Sequence, residues 1–264
     1  MKQVFTRKGE ILMDEVPAPL TGDNEVLVQV YYSCISSGTE LAAVKSGSKS
    51  ILRKALDKPQ NISKVLELLK SEGLKETISR VKSKISSSKS LGYSAAGIVL
   101  EVGSKISDIN QGDRVACAGA GVANHSEFIA VPRHLLAKVP DNVSLEHAAT
   151  VTLGSIALQG IRRAEPNIGE YICVIGLGLI GQLTVQLLKA NGSRVIGIDI
   201  NSQRVAKALS LGMDRGIIAD KNTVEEVGKF TDGYGADAVM ITASSQGSEI
   251  INQAIQMCHK KGKI

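Results

Sequence analysis

Four short segments in the first half of the chain have the pattern of strands, and glycine or proline lies close to each. Apolar and polar residues alternate in the first of them. The segments are EVLVQVYY (25–32), AAGIVLEVG (95–103), QGDRVAC (111–117) and HSEFIAVP (125–132). A repeat of two is typical of half-buried strands. Short strands separated by glycine turns predict a small β-barrel-type domain over residues 1–142.

The pattern changes near residue 142 to alternating strands and helices. A helix is predicted over 144–164, with Ser144 as its cap. Four apolar segments follow, and each precedes a stretch with helical spacing: YICVIG, RVIGID, GIIA and DAVMITA. This βα series predicts a doubly wound parallel sheet and an α/β fold for residues 143–264. A fifth strand is expected to start at Gly262, so this sheet is expected to be incomplete.

Residues 41–90 interrupt the strand pattern and carry most of the basic charge. They hold 12 Lys and Arg against 4 Asp and Glu, whereas the rest of the chain holds 19 and 22. Apolar residues at helical spacing predict two or three basic amphipathic helices. Three roles stay open for this insert: attracting an anionic substrate as a lid, docking a partner, or a solvated helical face.

Composition excludes several classes of protein. No apolar run reaches the roughly 18 residues that a membrane span needs, and MKQVFTRKGE lacks the apolar core of a signal peptide. A cytoplasmic protein is therefore expected. Aromatic residues make up 3% of the chain and Trp is absent, which argues against a nucleic-acid-binding surface. The four cysteines are far apart and are expected to be reduced and mostly buried.

The stretch VIGLGLIGQL (174–183) has three glycines between a strand and a helix. Gly176 allows a sharp turn, Gly178 lets the backbone approach a diphosphate, and Gly181 lets the helix pack on the strand. Leu179 and Ile180 contribute backbone N–H groups at the positive end of the helix. We predict a dinucleotide site here; the alternative is that the glycines serve packing alone.

The acidic residue that follows bears on the choice of coenzyme. Asp199 lies 18 residues after Gly181, at the end of the next strand, where a carboxylate accepts hydrogen bonds from the adenosine ribose. A 2′-phosphate would meet like charge there, so NAD is preferred over NADP. Ile200 and Arg204 are expected to line the same end of the coenzyme. Asp199 as an ordinary helix cap fits the position equally well.

Several long segments resemble the medium-chain dehydrogenase/reductase superfamily: LGYSAAGIVLEVGSKISDINQGDRVA, HSEFIAVP, LEHAATVTLGSIALQG and VIGLGLIGQLTVQLLKANGSRVIGIDINSQR. The resemblance implies a GroES-like catalytic domain, a Rossmann NAD-binding domain and an active site in the cleft between them. SCISSGTE, the basic insert and LGYSAAG resemble the N-terminal module of bacterial two-module proteins. In those, a second dehydrogenase of the inositol-dehydrogenase type follows, often encoded beside surface-polysaccharide genes.

The zinc-ligand positions of that superfamily hold other residues in this chain. The resemblance maps them onto Ser37, Tyr93 and a position near Leu153, none of which supplies a thiolate, imidazole or carboxylate. A metal-free site is therefore predicted. Tyr93 is a candidate donor to an oxyanion, Thr39 matches the hydroxyl that relays protons in zinc members, Ser37 adds a hydroxyl, and His125 is a candidate acid or base.

Purely structural roles stay open for these residues. Tyr93 is also suited to filling the space of the metal, Thr39 to bracing a turn, and His125 to a surface loop. Glu40 replaces an acid that supports a ligand histidine in zinc relatives, and its role is open.

The function predicted from these observations is zinc-independent hydride transfer between NAD(H) and an alcohol or carbonyl substrate, such as a sugar derivative. Two alternatives stay open: a quinone- or enoyl-type reductase, which prefers NADPH, and a non-catalytic dinucleotide-binding module of a longer protein. The expected partners are a small, anionic molecule as substrate and a second dehydrogenase module downstream. The sequence leaves the oligomeric state open.

Overall fold

The computed structural model describes residues 1–48, 88–244 and 247–264, which form two compact units, Met1–Thr152 and Leu153–Ile264. The helices expected within the basic insert lie outside the described residues. The units divide ten residues after the domain boundary expected at 142, and the assignment of a role to each unit stays a prediction. Among the described helices, none combines the length and apolarity that a membrane crossing requires.

The first unit contains two antiparallel sheets. The smaller sheet has the order β2-β1-β4, built from β1 (Lys2–Arg7), β2 (Glu10–Glu15) and β4 (Lys89–Ser90). The larger has the order β7-β3-β5-β6-β8, built from β3 (Glu25–Ser33), β5 (Ser94–Val102), β6 (Arg114–Ala118), β7 (Phe128–Pro132) and β8 (Leu136–Lys138). The four segments predicted as strands correspond to β3, β5, β6 and β7, so the prediction of these strands is confirmed.

Alternation places one apolar face of the larger sheet in a common core. Val26 and Val28 of β3 are fully buried and lie opposite Val131 and Ile129 of β7 in the antiparallel register. The same core includes Val99 from β5. Because successive side chains point to opposite faces of a strand, a one-residue shift would expose this whole set, which fixes the register.

The second unit contains a five-stranded parallel sheet with the order β11-β10-β9-β12-β13. Its strands are β9 (Tyr171–Ile175), β10 (Arg194–Asp199), β11 (Arg215–Ile218), β12 (Ala236–Ile241) and β13 (Cys258–Lys263). Ile172 and Val174 of β9 pack into one core, while Cys173 and Ile175 pack into another. Both faces of the central strand are therefore buried, as a doubly wound sheet requires.

Helices in the described residues connect these strands. They are α1 (Ser37–Ser48), α2 (Leu145–Ala148), α3 (Val151–Ala164), α4 (Leu179–Ala190), α5 (Ser202–Ser210), α6 (Thr223–Phe230) and α7 (Glu249–Met257). The single helix expected over 144–164 is divided into α2 and α3, although Ser144 caps α2 as expected by accepting the N–H of His147 at 3.2 Å.

The last helix ends earlier than its sequence pattern indicates. The helical spacing was expected to continue to Gly262, but α7 stops at Met257 and β13 begins at Cys258. Cys258 pairs in parallel with Ala236 of β12. Strand β12 pairs with β9 on one side, and its backbone groups on the other side need partners. We infer that the hydrogen bonds between β13 and β12 stabilise these residues more than a further turn of helix α7 would.

Candidate functional site

The turn between β9 and α4 has the backbone that the three glycines predicted. Gly176 has φ +95°, a conformation that residues with a side chain rarely adopt, and a Cβ there would lie 2.7 Å from the backbone nitrogen of Ala243. A Cβ on Gly181 would lie 1.9 Å from the carbonyl oxygen of Gly176. These two glycines are therefore required by the turn and by the packing of the helix on it.

Gly178 differs from the other two glycines because its missing side chain would point into open space. A Cβ there would meet no atom within 4 Å, and its φ of −70° suits any residue. Packing and backbone strain therefore do not explain this glycine. Gly178 precedes Leu179, the first residue of α4, and the first helical hydrogen bond joins the N–H of Gln182 to the carbonyl of Gly178 at 2.9 Å.

The first turn of α4 consequently presents N–H groups that no helical carbonyl accepts, those of Leu179, Ile180 and Gly181. Leu179 is exposed and Gly178 has no side chain, which leaves the start of the helix open to solvent, whereas Gly181 is buried. Backbone donors and the positive end of the helix dipole together favour a bound anion. The arrangement suits the diphosphate of a dinucleotide.

Asp199 ends strand β10 beside this turn. Its side chain is 4% exposed, and its two oxygens accept the N–H of Leu177 at 2.7 Å and the N–H of Asn201 at 2.8 Å. The carboxylate thus ties the glycine turn to the start of α5. Each carboxylate oxygen has a second lone pair, so the group keeps capacity to accept from a ribose hydroxyl.

Asp199 is not itself the cap of α5. Asn201 takes that position, since its side chain accepts the N–H groups of Gln203 and Arg204 at 2.9 and 3.3 Å. Arg204 lies beside Asp199, with its guanidinium 3.6 Å from the carboxylate and its side chain 55% exposed. Ile200 is exposed beside them.

A second polar cluster lies in the first unit and joins the segment SCISSGTE (33–40) to the turn before β7. His125, in the turn before β7, places Nδ1 2.8 Å from the hydroxyl of Ser33, the last residue of β3. Its Nε2 lies 3.1 Å from Oε1 of Glu40, in the first turn of α1. The same Oε1 accepts the backbone N–H of Ser36 at 3.0 Å.

The predicted catalytic residues of this unit are only partly brought together. Ser37 and Thr39 lie in the first turn of α1, a helix that the sequence did not predict, and Thr39 accepts a 3.4 Å hydrogen bond from Ser36. His125 is joined to Glu40, whose role was open. Among the described residues, the Tyr93 hydroxyl makes no hydrogen bond with this cluster, and Tyr93 is half-buried.

The cysteines differ in burial. Cys117 and Cys173 are buried, and burial raises the pKa of each thiol to about 12. Cys34 and Cys258 are half-buried, and all four are free. Burial also raises the pKa of Cys34, the residue after Ser33, and the charge of Glu40 raises it further.

Ser33 is the member of the cluster that the sequence did not single out. It is separated from His125 by 92 residues, and Glu40 from His125 by 85. No spacing rule joins residues so far apart. Ser33 ends strand β3 and is the first residue of SCISSGTE, the segment that ends in Glu40.

Similarity to known proteins is distributed over both units. The sequence model of a family described as "Zinc-binding dehydrogenase" matches residues 180–264. Sorbitol dehydrogenase of Homo sapiens is 27% identical over 192 residues, which are 62% of this chain and 54% of that protein. D-guloside 3-dehydrogenase of Escherichia coli (strain K12) is 33% identical over 156 residues, 58% of this chain and 44% of that protein.

The fold has solved counterparts. The structure of Escherichia coli quinone oxidoreductase complexed with NADPH superposes with a TM-score of 0.74 at 22% identity. The superposition covers 99% of this chain and 71% of that chain. At this identity the likeness establishes the fold alone. The chain spans about half the length of the curated relatives it matches.

Proposed function

We propose that this chain, which belongs to the medium-chain dehydrogenase/reductase superfamily, supplies the coenzyme site and the catalytic groups of an NAD-dependent oxidoreductase. The observation that carries the proposal is Gly178. The glycine is not required by packing or by its backbone angles, so the open space beside it is explained by the close approach of a ligand. The N–H groups of the following helical turn favour a diphosphate in that space.

The residues of the turn fit a nicotinamide dinucleotide. Leu179, Ile180 and Gly181 would donate backbone N–H groups to the diphosphate, and Asp199 would accept from the adenosine ribose. When bound, the coenzyme supplies a hydride acceptor or donor. We propose an alcohol or its carbonyl product as the substrate, in particular a sugar derivative, because two relatives are named for sorbitol and for a D-guloside.

The residues at the zinc-ligand positions do not fit zinc. Ser37 and Tyr93 offer hydroxyl groups, and Leu153 offers an alkyl chain that is fully buried. Zinc is held in proteins by thiolate, imidazole and carboxylate ligands. The family match covers residues 180–264 and includes none of these positions. We therefore propose that hydroxyl groups and His125, rather than a Lewis acid, act on the substrate oxygen.

NADP is the second candidate coenzyme, and the position of Arg204 favours it. The guanidinium is exposed and lies beside Asp199, within reach of the ribose end of the proposed site. A rotation away from Asp199 would pair it with a 2′-phosphate. The carboxylate of Asp199 opposes that phosphate by like charge, so the proposal keeps NAD as the preferred coenzyme.

Calorimetric titration of the chain with NADH and with NADPH tests the proposal. We expect saturable binding of NADH, about tenfold tighter than NADPH, and metal analysis of the same sample without stoichiometric zinc. Turnover of polyols and sugar derivatives in the presence of a chelator would establish the chemistry. Absence of binding to either coenzyme would refute the proposal. Binding without any turnover would favour the non-catalytic dinucleotide-binding module instead.

A further inference from the structure

Ser33, His125 and Glu40 form a continuous chain of hydrogen bonds in the first unit. The side chains of His125 and Glu40 are only 10% and 12% exposed. Water therefore competes little with their contact. Such a pair needs both partners, because a buried polar group left alone loses its hydration without a hydrogen bond in return.

Hydrogen bonds hold the backbone of His125 in place. Its N–H donates to Leu91 at 2.8 Å, and its carbonyl accepts from Val4 at 2.9 Å. Gly92 has φ +95°, and a Cβ on it would lie 2.6 Å from the nitrogen of His125. The backbone thus stays where the ring reaches both Glu40 and Ser33.

The proton positions follow from the donors around Glu40. Oε1 of Glu40 accepts the backbone N–H of Ser36, which can only donate. An ionised carboxylate can only accept, so the nitrogen of His125 that faces Oε1 must also donate. The proton of the neutral imidazole is therefore on Nε2. Nδ1 is left as an acceptor, and the hydroxyl of Ser33 at 2.8 Å donates to it.

Among the described residues, Cys34 is a further titratable group that the charge of Glu40 influences. Burial and the charge of Glu40 both raise its pKa, so the thiol stays protonated near neutral pH. Within this cluster His125 is consequently the group that is able to accept a proton from Ser33.

We propose that Glu40 is a positioning residue that fixes the Nε2–H tautomer of His125, and that Ser33 and His125 form a proton relay. The relay rests on the proposed function. When an alcohol is oxidised, its carbon-bound hydrogen leaves as a hydride to the coenzyme of the proposed function. Its O–H proton passes to Ser33 while the proton of Ser33 passes to Nδ1 of His125. The resulting imidazolium keeps its Nε2–H bond to Glu40, whose negative charge stabilises it. Reduction reverses each transfer.

The tautomer is measurable without substrate or coenzyme. Long-range proton–nitrogen NMR spectra of the ¹⁵N-labelled full chain distinguish the two ring nitrogens, and comparison with His125→Gln assigns the signal among four histidines. At a pH of about 9, where free imidazole is neutral, we expect Nε2–H in the wild type. Glu40→Gln should keep this tautomer, since one amide oxygen can accept both hydrogen bonds, whereas Glu40→Ala should give a mixture.

Wild-type protein in the Nδ1–H form, or an unchanged tautomer in Glu40→Ala, would overturn the positioning role. This readout also separates the inference from the proposed function, because it does not depend on turnover. If the chain shows the expected tautomers but does not bind coenzyme, the proposed function is refuted and the positioning role of Glu40 is supported.

Kinetics test the relay itself. We expect Ser33→Ala and His125→Gln each to lower kcat by about 100-fold with little change in the KM for coenzyme. Glu40→Gln should lie between these variants and the wild type, because it keeps the geometry and loses the charge. Ser126→Ala is the matched control: its hydroxyl, next to His125 in sequence, donates to the carbonyl of Phe128 at 3.0 Å. A Ser33→Ala enzyme as active as Ser126→Ala would overturn the relay.

Discussion

The glycine turn of the second unit and the histidine cluster of the first are built from opposite kinds of contact. In the turn, backbone N–H groups face the proposed ligand, and the essential side chains are those that are missing, at Gly176, Gly178 and Gly181. In the cluster, side chains from SCISSGTE and from the turn before β7 bond to one another, and one backbone N–H donates to them. Adding an atom should therefore damage the glycine turn, whereas removing an atom or a charge should damage the histidine cluster.

The largest expected effect is that of Gly181→Ala. The added methyl group would lie 1.9 Å from the carbonyl oxygen of Gly176, a backbone atom that cannot move without opening the turn. We expect the free energy of unfolding to fall by about 3 kcal/mol and NADH binding to be lost with it. Urea unfolding and calorimetric titration measure both quantities.

Gly228→Ala provides the control for that substitution. Gly228 also lies in a helix, but a Cβ there would meet no atom within 4 Å. The same methyl group should therefore stabilise the protein by about 0.5–1 kcal/mol through helix propensity. Equal effects of the two substitutions would show that the turn is not closely packed.

Asp199→Asn should have the next largest effect. The carboxylate accepts one N–H on each oxygen, whereas an amide has one oxygen, and its NH₂ group would face the other N–H. We expect a loss of about 2 kcal/mol in unfolding free energy, and weaker NADH binding. In the control Asp214→Asn, the side chain is 32% exposed, accepts the N–H of Val195 at 2.6 Å and pairs with Lys189 at 2.8 Å. Water can replace part of these contacts, so stability should fall less and coenzyme affinity should not change.

Gly178→Ala should separate binding from stability. Its Cβ occupies open space at ordinary backbone angles, so the unfolding free energy should stay within about 0.5 kcal/mol of the wild type. NADH affinity should nevertheless fall at least about tenfold, because the methyl group takes the space of the diphosphate. An alanine variant that binds NADH normally would contradict the placement of the ligand beside Gly178.

The smallest expected effect is that of Glu40→Gln on the reactivity of Cys34, and it tests the electrostatics of the cluster. Glu40→Gln removes the charge that adds to the raised pKa of Cys34, so the thiolate fraction at neutral pH should increase. We expect alkylation of Cys34 by iodoacetamide to accelerate about threefold. Cys258 serves as the internal reference, since Glu40 is not among the causes of its raised pKa. Equal acceleration at both cysteines would indicate a general loosening of the protein.

The difference between the two regions also explains what the sequence could predict. The strand and helix order of the second unit follows from local periodicity, and the glycine roles follow from positions only five residues apart. A turn of this kind is specified by consecutive residues, so its geometry can be inferred before the fold is known. Strands β3, β5, β6 and β7 could likewise be predicted from short stretches of sequence, and the structure confirms them.

The cluster could not be predicted in the same way. His125 was chosen for its chemistry and Glu40 was noticed without a role, but the contact between them depends on how β3, α1 and the turn before β7 pack together. The early end of α7 has a similar cause. Its residues continue the helical pattern, and only the neighbouring strand β12 determines that Cys258 pairs in the sheet instead.

The hydrogen bond between Asp199 and the N–H of Leu177 has a consequence for the kinetics of coenzyme binding. The contact is internal to the protein, so the turn is preorganised by folding and its entropy is lost before any coenzyme arrives. Association should then require no rearrangement of the loop, and differences in affinity among coenzymes should be found in their rates of dissociation.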